Sequence, residues 1–340
     1  MRFLLYISQN YSYQILRPLQ RQIRERGDEA VWFLEGAAVN PAYLQPDERR
    51  LMSVDEVRRY QPDAVLAPGN MVPGFITGLK VAVFHGFNIG KHDGDHFTIR
   101  DCFDLYCTQG PSSTTEFQRL ARQHGFFRVI ETGWPAIDPL YQEPPPPANP
   151  RPVILLCSTF SQRYTCAPHL FDTVAQLKQN TRWQWLVQFH PKMDKAIVER
   201  YRSLQDDNLT FVETDNVIPL LHRADLMVCD TSSVMLMFLL LGKPVVAFRN
   251  NQPGPHLINI DQAAQLEGAI AAGLGRPAEL MAAIQAFNRE LHPYTDGRSA
   301  ERVLAAVDAV LAGQHPVARK KPLNLLRNFK ARRKLGYWKP

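Results

Sequence analysis

Short apolar runs of strand length alternate along the chain with longer stretches whose apolar residues recur at helical spacing. Residues 3–7, 30–34, 63–67, 80–84, 105–108 and 127–131 read as strands, with helices over 11–26 and 112–124 between them. The pattern restarts with strands at 153–157, 184–189, 210–212, 226–229 and 245–248, and helices near 167–179, 195–204, 263–273, 277–287 and 299–312. Such alternation predicts parallel sheets covered by helices on both faces. One unit is the clearest. The run Leu226–Cys229 ends in Asp230-Thr231-Ser232-Ser233, an apolar helical segment follows, Gly242 and Pro244 stop it, and Val245–Phe248 gives the next strand. Hydroxyls and amides at such a helix start can hold an anion, or they can simply cap the helix.

The proline-rich stretch 143–152, EPPPPANPRP, is extended and stiff, and divides the chain. The expected organisation is a first Rossmann-like domain over 1–142, this linker, a second Rossmann-like domain over 153–315, and a tail over 316–340. The fold class is therefore α/β with two doubly wound domains facing a central cleft, where ligands meet the carboxyl ends of the strands. Polar clusters stand at five of those ends: His85-Gly86 followed by Lys91; Thr132-Gly133 followed by Asp138; Ser158-Thr159 followed by Arg163; His190-Pro191-Lys192; and Asp230–Ser233. Histidine titrates near neutral pH and suits acid–base work. Lys91, Arg163 and Lys192 suit phosphate oxygens. No G-x-G-x-x-G follows the first strand, so nothing points to a dinucleotide there.

Charge changes the picture only at the end of the chain. Of 39 Lys and Arg, nine fall in residues 316–340 with no acid among them, and the other 30 stand against 33 acidic residues. The net charge of +6 thus belongs to the tail. Leu323, Leu325, Leu326, Phe329, Leu335, Tyr337 and Trp338 are interleaved with these cations, which suits an anionic membrane surface. Nucleic acid is not expected as a partner, because no reader motif accompanies the charge. No apolar stretch reaches membrane-spanning length and the N-terminus lacks a cleavage signal, so a cytoplasmic protein, peripheral on the inner face of the membrane, is expected. Five cysteines without a C-x-x-C pair argue against disulfides and structural zinc. Asp93-Gly94-Asp95, beside His92 and His96, leaves a divalent cation open, though none is required.

Taken together, His85-Gly86, Gly133-x-Pro135-x-x-Asp138, His190-Pro191, Asp230–Ser233 before Gly242-Lys243-Pro244, and Asp296-Gly297-Arg298-Ser299-Ala300-Glu301-Arg302 resemble the ordered motifs of CDP-glycerol glycerophosphotransferases. The resemblance implies a GT-B fold with the donor nucleotide held mainly by the second domain. It implies transfer of glycerol phosphate, or a related polyol phosphate, from a CDP-polyol donor to a lipid-linked or glycan acceptor in teichoic acid or capsule synthesis, with CMP released. It makes His85 the base, sets His190 at the donor phosphates and Asp230–Ser233 at the pyrophosphate, and carries Asp296 and Arg298 over as motif residues. Gly86, Lys91, Gly133, Asp138, Ser158, Thr159, Arg163 and Lys192 complete the expected substrate contacts, with His85, His190 and Asp230 as the catalytic set. Two departures stand out: Thr231 replaces an aromatic residue of the family turn, and Ala136 a basic one. UDP-N-acetylglucosamine 2-epimerases and nucleotide-sugar transferases share the architecture and remain alternatives, as does a scaffold that has lost the chemistry.

Overall fold

The computed structural model describes residues 1–87, 96–142, 147, 149–214 and 216–339. Lys91, the Asp93-Gly94-Asp95 loop and much of the proline-rich linker lie outside the described residues. In chain order the first half comprises β1 (Arg2–Ile7), α1 (Ser12–Glu25), β2 (Glu29–Leu34), β3 (Arg50–Leu51), α2 (Val54–Tyr60), β4 (Ala64–Ala67), β5 (Leu79–Ala82), β6 (Leu105–Thr108), α3 (Pro111–His124), β7 (Arg128–Glu131) and α4 (Asp138–Gln142). The second half comprises β8 (Val153–Ser158), α5 (Ala167–Leu177), β9 (Gln184–Phe189), α6 (Lys195–Arg202), β10 (Leu209–Phe211), α7 (Ile218–Arg223), β11 (Leu226–Cys229), α8 (Ser233–Leu240), β12 (Val245–Phe248), β13 (Ile258–Ile260), α9 (Leu266–Leu274) and α10 (Ala278–Leu291). Then come α11 (Ser299–Leu311) and α12 (Leu325–Leu335).

Both sheets are parallel throughout the described pairings, so the α/β class is borne out. Their orders are β3-β2-β1-β4-β5-β6-β7 and β10-β9-β8-β11-β12-β13. Each reverses direction once, between β1 and β4 in the first sheet and between β8 and β11 in the second. These are the switch points at which doubly wound sheets open a crevice. The central strands β4, β8, β11 and β12 are buried along their whole length, which is why they read as unbroken apolar runs rather than alternating ones. Cys157 and Cys229 are small buried members of β8 and β11.

Contacts divide the chain into two units. The expected boundary at 315 differs from this division: the chain returns to the first unit at Leu291, so α11 and the tail belong there. The cause is apolar burial. Val303, Leu304, Val307 and Val310 of α11 are buried, and the helix packs on α1, β5 and β6. Arg26 pairs with Asp308 at 2.9 Å across the α1–α11 contact.

In the second unit, Lys243 of the Gly-Lys-Pro step does structural work. Its Nζ donates to the carbonyls of Leu221, His222 and Ala224 at 3.0, 2.6 and 2.7 Å, closing the end of α7. Burial lowers its pKa to about 8.

Candidate functional site

The second unit places its polar clusters at its switch point. Asp230, directly after β11, is 0% exposed. Its carboxylate accepts from Ser158 Oγ at 2.6 Å, from the Thr159 amide at 3.0 Å and from the Cys166 amide at 3.0 Å. Burial raises its pKa, while these donors act the other way. Ser158 Oγ also bonds Thr165 Oγ1 at 2.8 Å. Ser158, Thr159 and Asp230 therefore form a buried clasp that ties the loop after β8 to the loop after β11. Asp230 and Ser158 shape the turn; their side chains are fully engaged inside it.

The turn itself is held from β12. Thr231 Oγ1 accepts from the Asn251 amide at 3.1 Å, and Arg249 before it adopts a left-handed φ of 49°, a costly conformation for a residue with a side chain. Ser232 occupies the capping position of α8, yet its side chain makes no capping bond. Ser233 is exposed at the same helix start. The hydroxyls that capping would have used are thus left to the solvent side of the turn.

His190 follows β9, the neighbour of β8, and is exposed. Its Nδ1 accepts from the Lys192 amide at 3.0 Å. In the neutral ring the proton then sits on Nε2, which becomes a donor. Phe160, in the loop after β8, lies 4.6 Å from the His190 ring centre and beneath the Lys192 ammonium at 5.7 Å. The rigid Pro191 step and this aromatic plate fix two cationic or donor groups side by side. A cavity of 460 Å³ opens beside them, lined by Phe189, His190, Phe211, Glu213 and Thr214. Arg163 is exposed and lies over the Tyr164 ring at 5.3 Å.

In the first unit, β5 pairs only as far as Ala82, two residues short of the expected strand end. Phe84 turns the chain with φ 58°, a left-handed conformation that swings His85 out at the carboxyl end of the sheet. Three bonds hold that corner. Trp134 Nε1 donates to the Phe84 carbonyl at 3.2 Å, Gln109 Nε2 donates to the Gly86 carbonyl at 3.0 Å, and His85 Nδ1 meets the Pro68 carbonyl at 3.3 Å. A carbonyl only accepts, so Nδ1 carries the proton and Nε2 of the neutral ring is a base. Tyr11, at the start of α1, stands 5.9 Å from the His85 ring centre.

Gly133 sits next to this corner for a steric reason. At φ 80° it passes under α11, and a Cβ would lie 2.5 Å from Ser299 Oγ and 2.8 Å from His292 Nε2. His292 Nε2 accepts from the Trp134 amide at 2.9 Å, and burial lowers its pKa to about 4, which keeps the ring neutral. Asp138 is 1% exposed and accepts from the Ser299 and Ala300 amides at 2.9 and 2.8 Å, capping α11 from a distance in sequence. Burial raises its pKa against those bonds. Asp296 pairs with Arg302, and Arg298 with Glu301, on the surface of the same helix start. The structure thus sets Gly133 and Asp138 against the start of α11 in the first unit, while Asp296 and Arg298 pair within that start. Reading the motif as part of the second domain missed this long-range contact.

Gln109 lies outside the strand-end clusters, whereas Trp134 and Phe160 lie inside them without an assigned contact. Gln109 follows β6 as His85 follows β5, and Phe160 lies inside the cluster after β8. Among the described residues, no group of His, Cys, Asp and Glu could hold a metal ion.

Residues 99–253 match the family model of CDP-glycerol:poly(glycerophosphate) glycerophosphotransferases, which bears out the resemblance carried by the motifs. The matched stretch contains Gly133, Asp138, His190 and Asp230–Ser233, and leaves His85, Asp296 and Arg298 outside it. No curated protein sequence matches the chain. Among solved structures, the wall teichoic acid polymerase TagF is 15% identical with a TM-score of 0.60, covering 92% of this chain and 89% of that one. A Listeria monocytogenes protein assigned as a UDP-N-acetylglucosamine 2-epimerase is 14% identical with a TM-score of 0.66, covering 92% and 97%. The Neisseria meningitidis UDP-GlcNAc 2-epimerase is 11% identical with a TM-score of 0.60, covering 90% and 99%. At these identities the likeness is one of fold, and it places the chain in the GT-B class.

Proposed function

We propose that the chain is a CDP-glycerol glycerophosphotransferase that moves glycerol phosphate, or a related polyol phosphate, to a hydroxyl of a lipid-linked or glycan acceptor in cell-surface polymer synthesis. The observation that carries this reading is the family match over 99–253, which runs through the strand-end cluster of His190 and the Asp230–Ser233 turn. TagF, which shares the fold, has also been soaked with CDPG.

The chemistry follows from the two units taken separately. The acceptor oxygen attacks the phosphorus that bears glycerol, its proton passes to Nε2 of His85, and the bond from that phosphorus to the bridging oxygen breaks as CMP leaves. Charge grows on phosphate oxygens during the step, and fixed donors that face them lower its barrier. His190 through its Nε2–H, Lys192, Arg163 and the Thr231–Ser233 turn supply such donors. Lys91 is proposed alongside them from its place in the sequence. Asp230, Ser158 and Thr159 act by positioning the turn. Gly86 contributes its backbone, Gly133 and Asp138 hold the segment around Trp134 against α11, and Asp296 and Arg298 order the start of that helix. The basic tail would keep the enzyme at the inner membrane face, where lipid-linked acceptors lie.

The structural likeness to 2-epimerases keeps one competing reaction worth assaying. Purified protein is given CDP-glycerol and, separately, UDP-N-acetylglucosamine, with and without a glycerol-phosphate acceptor. Acceptor-dependent CMP release that disappears in His85→Ala supports the transferase. Epimer formation from UDP-N-acetylglucosamine, with CDP-glycerol left intact, overturns it.

A further inference from the structure

The basic C-terminal segment is strapped to the first unit, and the strap has two unlike sides. Its inner side is pinned to the body. Arg319 donates its amide to the Gly125 carbonyl at 2.9 Å, Lys321 pairs with Asp104 at 2.6 Å, and Asn324 Nδ2 reaches the Arg100 carbonyl at 2.7 Å. Asn328 Oδ1 accepts from the Gly74 amide at 2.6 Å, and Lys334 pairs with the buried Glu35 at 2.9 Å. Ala331 and Tyr337 are buried, Arg332 lies over the Phe75 ring, and Lys339 pairs with Asp55. A loose basic tail has no reason to make so many specific contacts.

The outer side is apolar. Leu323, Leu325, Leu326, Phe329 and Trp338 are 77%, 71%, 81%, 57% and 59% exposed. Leu325, Leu326 and Phe329 fall on one face of α12 by helical spacing, and Trp338 folds back to within 5.6 Å of the Phe329 ring. This makes a continuous ridge. Lys320, Lys330 and Arg333 border it, all exposed and none in an ion pair among the described residues. The carboxylates Glu35, Asp55 and Asp104 neutralise inward cations only, and the segment from 316 on contributes no acid of its own.

We infer that this ridge is a fixed membrane-docking face, with Leu325, Leu326, Phe329 and Trp338 entering the headgroup boundary of an anionic bilayer while Lys320, Lys330 and Arg333 meet the lipid phosphates. The partner follows from the chemistry of the face. Exposed aliphatic side chains, a Trp at one end and flanking cations without acids match an anionic lipid interface, with apolar burial and charge acting together. Because the strap is bonded along its length, the first unit is held at one orientation to the membrane instead of swinging on a tether. The inference deepens the membrane contact proposed above, and its readout is vesicle binding and not turnover.

Full-length protein is sedimented with vesicles of phosphatidylcholine alone and of phosphatidylcholine with phosphatidylglycerol. The expected result is at least tenfold tighter binding to the anionic vesicles, a tenfold or greater loss in Leu326→Ser with Phe329→Ser, and loss of the anionic preference in Lys330→Glu with Arg333→Glu. Trp338 gives a second readout, since Trp32, Trp134, Trp183 and Trp185 are all buried. Its emission should shift to the blue on binding, and the shift should vanish in Trp338→Phe. Equal binding to both vesicle types, unchanged binding by the Leu326 and Phe329 pair, or a lipid-free dimer that these substitutions dissolve would each overturn the inference. CMP release with a water-soluble glycerol-phosphate acceptor should be unchanged in the ridge variants, so failure of the docking face and failure of the transferase reading give different results.

Discussion

In the first unit the histidine after β5 turns Nδ1 toward the carbonyl of Pro68, whereas in the second unit the histidine after β9 turns Nδ1 toward the amide of Lys192. Both sheets run three strands outward from the switch point and then return, but His85 follows β5, the second strand of the return, and His190 follows β9, the second strand of the outward run. Beside each ring stands a backbone group, an acceptor in one case and a donor in the other. That group decides which nitrogen holds the proton, and so whether the outward nitrogen takes a proton or gives a hydrogen bond. One fold, used twice, thus turns an unprotonated Nε2 outward in one unit and an Nε2–H outward in the other.

Substitution by glutamine separates the two roles. Glutamine offers an amide N–H in place of a ring N–H, but it cannot accept a proton at neutral pH. His85→Gln should therefore lose as much turnover as His85→Ala, about 10²–10⁴-fold in kcat, the usual worth of a general base. His190→Ala should lose about 10²–10³-fold, the worth of one fixed donor to a developing oxyanion, and His190→Gln should recover part of it. Measured kcat for the four variants, with CDP-glycerol saturating, tests the contrast. Recovery in His85→Gln, or none in His190→Gln, would break it.

The strand-end pattern sets both histidines beyond the carboxyl ends of strands because it depends only on where apolar runs stop. Leu105–Thr108, Gln184–Phe189, Leu226–Cys229 and Val245–Phe248 are strands over the expected residues. Two kinds of feature were out of reach. Short edge strands such as β3 and β13 are fixed by pairing with a neighbour and have little local signal of their own. The return of α11 to the first unit brings Asp138 to its start, 161 residues before Ser299, and no local pattern announces a contact of that range. Asp296 and Arg298 come from the family resemblance, and only the structure shows them paired with Arg302 and Glu301 at the start of α11. The tautomers were equally illegible, since they follow from backbone groups in three dimensions.

A third histidine sharpens the comparison through stability. His292 is buried and neutral, with its pKa lowered to about 4, and it accepts from the Trp134 amide. A histidine whose folded pKa is depressed contributes stability that is present above its unfolded value near 6.5 and is lost as pH falls toward 4. Over that window the loss approaches about 3 kcal/mol, from 1.36 kcal/mol per pKa unit. Denaturant unfolding at pH 7, 5.5 and 4.5 should show the decline in the wild type, and the His292→Gln variant, which cannot be protonated, should show less of it. A pH response unchanged by the substitution would remove His292 from the account.

Trp134 joins the two kinds of effect. Its amide binds His292 and its indole N–H binds the Phe84 carbonyl, one residue before His85. Trp134→Phe leaves the amide bond to His292 and removes the indole N–H together with part of a buried ring, so about 0.5–1.5 kcal/mol of hydrogen-bond support for the left-handed corner is lost, with some packing besides. Because the substituted group touches neither proton nor phosphate, the catalytic loss should appear as a fall of about three- to tenfold in kcat with KM for CDP-glycerol nearly unchanged. The sharper test is the double variant. If Trp134 acts only by aiming His85, then Trp134→Phe in a His85→Ala background should cost nothing further, since there is no base left to aim. An equal fall in both backgrounds would mean that the indole N–H supports something other than His85, and the β5 corner would lose its claim to positioning the base.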